Sequence, residues 1–267
     1  MGRTFWAGAA MTIDLAEIRN GLAQNEFFLE YLPTISLADG HCIGAEALIR
    51  WRKNGVVIPP IQFVPITERT PVSGLITYWV IERVMGELGD WLAQNRDGHI
   101  AINVPPELLG RGALAYAASK SGLIAHGSQI LLEITERGIP DALGVDALNE
   151  RAGLGARVAL DDVTLVSGAN LAVFARCHFD AIKLDKSLID QIVDDAPVPA
   201  WLRTLSALLE ISPFQVIAEG VETEAQALAL RTMKIQAAQG FYFSRPIPAE
   251  QFVAFHRLHG KPAGISH

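Results

Sequence analysis

Carboxylates, an amide and a lysine recur at one kind of place along this chain, at or just past the C-terminal end of a short apolar run. Residues 44–51 carry Glu46 and Arg50, residues 100–104 carry Asn103, residues 130–135 carry Glu133, and residues 158–162 end in Asp161 and Asp162. Residues 181–185 carry Lys183 and Asp185, and residues 216–222 carry Glu219 and Glu222. Asp, Glu and Asn oxygens are hard donors that suit Mg²⁺ or Mn²⁺. Two such ions roughly 3.5–4 Å apart are the usual means of turning water on a phosphodiester. A single acid at a strand end is ordinarily a cap or a solvated loop residue, and only the joint recurrence favours a metal centre. Lys183 would hold the attacking water or steady phosphate charge, against the plainer reading of a lysine that extends to solvent. Glu219 or Glu222 would serve as general base, or as a turn carboxylate. Arg50 presents a fork suited to two phosphate oxygens, or to a rim salt bridge.

Runs that are apolar throughout, rather than alternating, read as strands covered on both faces. Helical spacing over residues 13–25, 73–92, 112–121, 141–152, 169–175, 198–210 and 223–233 alternates with them, and a last run covers 237–243. Residues 27–37 and 42–51 flank an Asp39-Gly40 turn and predict a hairpin. Seven parallel units and one hairpin strand predict an α/β fold, a modified (β/α)8 barrel with an antiparallel first strand. An open doubly wound sheet would gather its ligand at one switch point. Nearly every strand here ends in a residue with chemistry, as the C-terminal face of a barrel requires.

The 267 residues, 50% of them hydrophobic, suit a single such domain, and no linker or low-complexity tract divides them. The expected organisation is a lead-in helix region over 1–19, a barrel over 20–258 and a tail over 259–267. A net charge of -7 argues against DNA binding but allows an anionic small ligand. Cys42 and Cys177 lack metal-type spacing, and two thiols in a chain of this size point to a reducing compartment. Without an apolar stretch of about 20 residues or a signal-peptide pattern, a cytoplasmic domain that does not touch membrane is expected, whether or not a longer parent is anchored.

Taken in order, Glu46-Ala47-Leu48-Ile49-Arg50-Trp51, Ile102-Asn103-Val104-Pro105, Leu132-Glu133-Ile134-Thr135-Glu136, Asp161-Asp162, Ile182-Lys183-Leu184-Asp185, Ala218-Glu219-Gly220-Val221-Glu222 and Gln239-Gly240-Phe241 resemble the motifs of the EAL-domain cyclic di-GMP phosphodiesterases. The resemblance covers roughly residues 20 to 255. It implies the barrel described above, one or two Mg²⁺ or Mn²⁺ ions per site, and hydrolysis of cyclic di-GMP to linear pGpG. It implies metal coordination by Glu46, Asn103, Glu133, Asp161 and Asp162, with Glu222 and Gln239 near the second metal or the ligand. Lys183 looks like the lysine beside the nucleophilic water, Glu219 like the general base and Arg50 like the phosphate contact. Leu32, Pro33 and Asp185 fall at substrate-binding positions, and Glu136 matches the glutamate that braces the loop after the fifth strand. A homodimer, and a fused N-terminal sensor or GGDEF domain in the full-length protein, are implied by resemblance alone.

Two departures stand out. Tyr31-Leu32-Pro33 replaces the usual Tyr-Gln-Pro, and one lost amide contact should cost about 0.5–1.5 kcal/mol of binding. After Asp162, residues 163–171 replace the usual Phe-Gly-Thr-Gly loop, and losing its glycines forces another backbone path. The alternative function is therefore an impaired domain acting as a cyclic di-GMP receptor or protein-interaction module. Retention of every matched ligand together with the lysine favours catalysis.

Overall fold

The computed structural model describes residues 13–135, 142–150, 153–164, 177–194, 196–209 and 214–260. Its strands are β1 (Phe27–Ser36), β2 (Cys42–Lys53), β3 (Val56–Ile58), β4 (His99–Asn103), β5 (Ile130–Thr135), β6 (Arg157–Val163), β7 (Ala181–Leu184), β8 (Gln215–Ala218) and β9 (Ala237–Ala238). The helices are α1 (Leu15–Ala23), α2 (Pro60–Thr67), α3 (Pro71–Gln94), α4 (Ala113–Ser121), α5 (Ala142–Asn149), α6 (Lys186–Ile189), α7 (Ala200–Leu209), α8 (Glu224–Thr232) and α9 (Ala249–His259). β1 runs antiparallel to both β2 and β9, and the remaining neighbours from β2 through β4 to β9 are parallel. The eight strands close into the expected barrel, and β3 only extends the far end of β2.

Two apolar layers follow from the strand period of two. The outer one packs the strands against the helices. On α3 the stripe of Ile76, Val80, Val84, Leu88 and Trp91 is buried, and Thr70 caps the helix by accepting from the Val72 amide. The inner layer is a small plug of Ala101, Leu131, Ala159, Ala181, Ile217 and Ala237, one residue from each of six consecutive strands.

Four elements escape the periodicity. β3 is three residues, α6 is four, and α2 is an eight-residue helix with Pro65 inside it. The C-terminal α9 covers the hairpin side of the barrel, where no crossover helix lies. Its Phe252 is fully buried between Tyr31 and Trp91, with ring centroids 6.0 and 5.1 Å away. The expected boundary between 19 and 20 falls inside α1, whose Ile18 is fully buried against the barrel. The lead-in before residue 13 and the tail after 260 lie outside the described residues.

At the bottom of the barrel, β2 and β4 approach so closely at Gly44 that a methyl group there would lie 2.2 Å from the His99 carbonyl oxygen. Backbone cannot yield cheaply, so Gly44→Ala should destabilise the fold by about 1–3 kcal/mol in urea denaturation. The same contact seals the His99 ring at 5% exposure, with its Nε2 meeting no partner among the described residues. Burial first, then the charges of Arg157 and Lys183, push this imidazole down to about 4. The unfolded chain protonates it near 6.5 and the folded one does not, so its contribution is intact above pH 6.5 and lost as pH falls toward 4. Between those limits the wild type should lose on the order of 3 kcal/mol more than His99→Leu does, as read from denaturation midpoints.

Candidate active site

Each residue two positions beyond the inner plug points into the barrel again, one layer higher. Those residues are Asn103 above Ala101, Glu133 above Leu131, Asp161 above Ala159, Lys183 above Ala181, Glu219 above Ile217 and Gln239 above Ala237. Glu46 on β2, two residues past Gly44, joins the same layer. A ring of polar groups therefore sits on an apolar floor, at the C-terminal ends of the parallel strands.

At its centre is the Lys183 ammonium, on a residue only 1% exposed. It lies 2.9 Å from Glu46 Oε2, 2.8 Å from Glu133 Oε1, 2.5 Å from Glu219 Oε1 and 3.5 Å from Asp161 Oδ1. Asn103 donates to Glu46 Oε1 at 2.8 Å. Burial would raise Glu46, but the charge and hydrogen bond of Lys183 and the Asn103 amide hold it below the ordinary carboxylate value. Burial and then the Glu46 charge push Glu133 well above it, and neither Glu133 oxygen accepts an aligned hydrogen bond. Asp161 is also raised, by burial. Burial lifts Glu219 to about 8 against the pull of Lys183. Lys183 itself would be lowered by burial, yet Asp161, Glu133, Glu219 and Glu46 keep it charged.

Asp162 joins them through a break in the pleat. The β6–β7 register shifts between Leu160 and Val163, and Asp162 takes a left-handed conformation at φ 57°. Aspartate tolerates that region better than most residues do. The bulge lets two successive side chains address one site, and Asp161 Oδ1 accepts from the Asp162 amide at 2.9 Å. Ligand atoms of Asp161, Asp162 and Glu219 lie within 4.8 Å of one another. An all-oxygen donor set and a buried carboxylate that accepts no aligned hydrogen bond among the described residues both fit a hard divalent cation. With all five carboxylates ionised, one ammonium would leave four negative charges unbalanced, the amount that two divalent ions carry.

A cavity of about 770 Å³ opens above this cluster. Its floor includes Glu46, Asn103, Glu133, Asp161, Asp162 and Glu219, while Leu32 and the α2–α3 side form apolar wall.

The family model for the EAL domain matches residues 15–246. This chain belongs to the EAL domain family. It is 33% identical over 256 residues to an uncharacterized signaling protein of Caulobacter vibrioides, a match that covers 94% of this chain and 31% of that protein. To the bifunctional diguanylate cyclase/cyclic di-GMP phosphodiesterase MucR of Pseudomonas aeruginosa it is 29% identical over 248 residues, covering 90% of this chain and 36% of MucR. The chain thus spans about a third of the length of these relatives. The structure of the MucR phosphodiesterase in complex with c-di-GMP superposes with a TM-score of 0.78 at 29% identity, covering 89% of this chain and 98% of that one.

Within this EAL domain, several residues expected at the site lie away from the cluster. Glu222 is half-exposed and pairs with Lys186 at 2.9 Å, because the turn at Gly220 (φ 67°) carries the chain outward before α8 begins. Asp185 caps α6 by accepting from the Ser187 amide at 2.9 Å. The Arg50 Nε donates to Glu30 Oε2 at 2.8 Å, and the residue does not line the cavity. Pro33 is buried on the outward face of β1, whereas Leu32 faces in. Gln239 is 1% exposed and donates to Thr34 Oγ1 at 2.9 Å and to the Leu32 carbonyl at 3.3 Å, tying β9 to β1 below the cavity. Glu136 and the loop over 165–176 lie outside the described residues.

Three features of the site have no counterpart in the motif reading. Thr34 anchors Gln239, while Arg69 and Arg111 bring positive charge to the cavity wall. A signal for the polar ring was nonetheless present: a small or aliphatic residue stands two positions before almost every member, as an inward-facing floor demands.

Glu133 carries the cost of this arrangement when no cation is bound. Glu133→Gln removes a buried carboxylate that lacks an aligned donor, and should stabilise the metal-free protein by roughly 1–3 kcal/mol. At this chain length that raises Tm by a few degrees in EDTA. The further rise that Mn²⁺ gives the wild type should be lost in the variant, and differential scanning fluorimetry reads both effects.

Proposed function

We propose that this EAL domain is a divalent-metal-dependent phosphodiesterase that opens cyclic di-GMP to linear pGpG. The observation that carries this reading is the convergence of Glu46, Asn103, Glu133, Asp161, Asp162 and Glu219 around the Lys183 ammonium, under a cavity of ligand size. The c-di-GMP held by the MucR phosphodiesterase, 29% identical, supports the substrate. Glu46, Asn103, Glu133, Asp161, Asp162 and Glu219 would hold one or two Mg²⁺ or Mn²⁺ ions. When bound, such ions supply water acidification and polarisation of the phosphoryl group.

The chain's own residues do the rest. Lys183 is a fixed cation, buried and therefore weakly screened, and it stabilises charge that grows on the phosphoryl oxygens. Glu219, pushed up to about 8 by burial, would take the proton of the attacking water in its ionised form. Asn103 fixes the Glu46 carboxylate through its amide. The apolar wall of Pro60, Ile61, Val64 and Ile76 suits flat bases, and Arg69, Arg111 and Lys186 suit an anionic backbone. Dimerisation and a fused sensor or GGDEF domain belong to the same proposal, as does a reducing cytoplasmic setting, which fits two buried cysteines, Cys42 and Cys177. No helix among the described residues is long and apolar enough to cross a membrane.

Chromatography of cyclic di-GMP after incubation with the protein and Mg²⁺ or Mn²⁺ should show pGpG accumulating. Glu46→Ala should cut that rate by more than about a hundredfold, because the ligand lost also orients Lys183. Tight binding of the cyclic dinucleotide with no linear product would establish the receptor reading instead.

A further inference from the structure

We infer that Lys183 is the resident counter-ion of the acid cluster and competes with divalent metal for the same oxygens, so that this lysine sets how tightly the metal is held. The inference rests on the metal centre proposed above and goes beyond it, from which residues bind the ion to what opposes its binding.

Four carboxylates, carried by β2, β5, β6 and the end of β8, lie within 3.5 Å of a single nitrogen. An ammonium has only three protons, so four such neighbours cannot all be served. Glu46 Oε2 accepts a well-aligned bond, whereas both Glu133 oxygens lack one although Oε1 is only 2.8 Å away. Two of the same carboxylates, Asp161 and Glu219, belong to the trio whose ligand atoms gather within 4.8 Å. A cation entering there has to draw oxygens from the lysine. The lysine cannot simply withdraw to solvent, because the residue is 1% exposed and its backbone is held in the β7 ladder opposite Ile217. Both cations must therefore share one buried space, where like charges repel with little screening. One cation within reach of four strands also keeps the carboxylates assembled before metal arrives.

The test uses Mn²⁺ itself as probe, on the full 267-residue chain. Isothermal titration or electron paramagnetic resonance should show Lys183→Met binding Mn²⁺ at least about tenfold more tightly than the wild type. Lys183→Arg should stay within about threefold of wild type. In EDTA, Lys183→Met should melt below the wild type, and saturating Mn²⁺ should raise its Tm by more. Equal or weaker Mn²⁺ binding by Lys183→Met would overturn the inference while leaving the metal centre standing. Absence of Mn²⁺ binding by the wild type would remove the metal centre, and this inference with it. Should Lys183→Met not fold even with Mn²⁺, the wild type labelled at lysine ¹³Cε decides. The signal that vanishes in Lys183→Arg should shift in step with Mg²⁺ addition, and an unmoved signal refutes the competition.

Discussion

Like charge confined in a small, buried space is the constraint on which this structure turns. Parallel strands of a closed barrel aim alternate side chains at its axis, so a polar layer above the apolar plug brings Glu46, Glu133, Asp161 and Glu219 together whether or not they repel. Their mutual repulsion cannot be relaxed by moving a strand, because each strand is locked by its ladder and by the outer helices. It can be relieved only by protons or by cations. Lys183 supplies one positive charge from within the chain, and the upward shifts of Glu133 and Glu219, caused first by burial and then by the neighbouring carboxylates, are the protonic part of the same response.

The rest of the molecule can be understood as the rigid frame that this concentration of charge needs. Ala101, Ala159, Ala181 and Ala237 keep the barrel floor narrow enough for a lysine to reach four strands. Gly44 lets β2 and β4 close up directly below Glu46. The Asp161–Asp162 bulge breaks the alternation where one strand must supply two carboxylates. Stability is conceded at the ring and recovered in the outer layer, where α3 and α9 bury large apolar side chains away from the acid cluster.

How much of this was legible in the sequence depended on whether a residue's role is set by its own strand or by its neighbours. Strand runs, the hairpin and the metal-type donors announce themselves locally, and the observed barrel has the predicted antiparallel first strand. Helices α2 and α9 were missed for different reasons. Proline and short length hide α2, while α9 has an apolar stripe whose partner, the outer face of β1, is some 220 residues away in sequence. Glu222 reads like Glu219 in the sequence, yet Gly220 turns the chain between them and only one reaches the ring. Arg50 is diverted by Glu30, a cross-strand pairing that no motif encodes.

The substitution at Leu32 shows why a departure from a motif has to be judged against its surroundings. Leu32 stands directly across the β1–β2 ladder from Glu46, facing the same cavity. Both Glu46 oxygens are already engaged, Oε1 by Asn103 and Oε2 by Lys183. An amide at position 32 would offer donors beside that carboxylate and draw on the same lone pairs, whereas leucine is electrostatically silent. The amide function of Gln239, meanwhile, is directed at the Leu32 carbonyl and the Thr34 hydroxyl, so β1 is pinned through these groups rather than by the side chain that changed. The leucine therefore removes a polar handle from the cavity wall while leaving the charge arrangement below it intact, which separates recognition of a ligand from the chemistry performed on it.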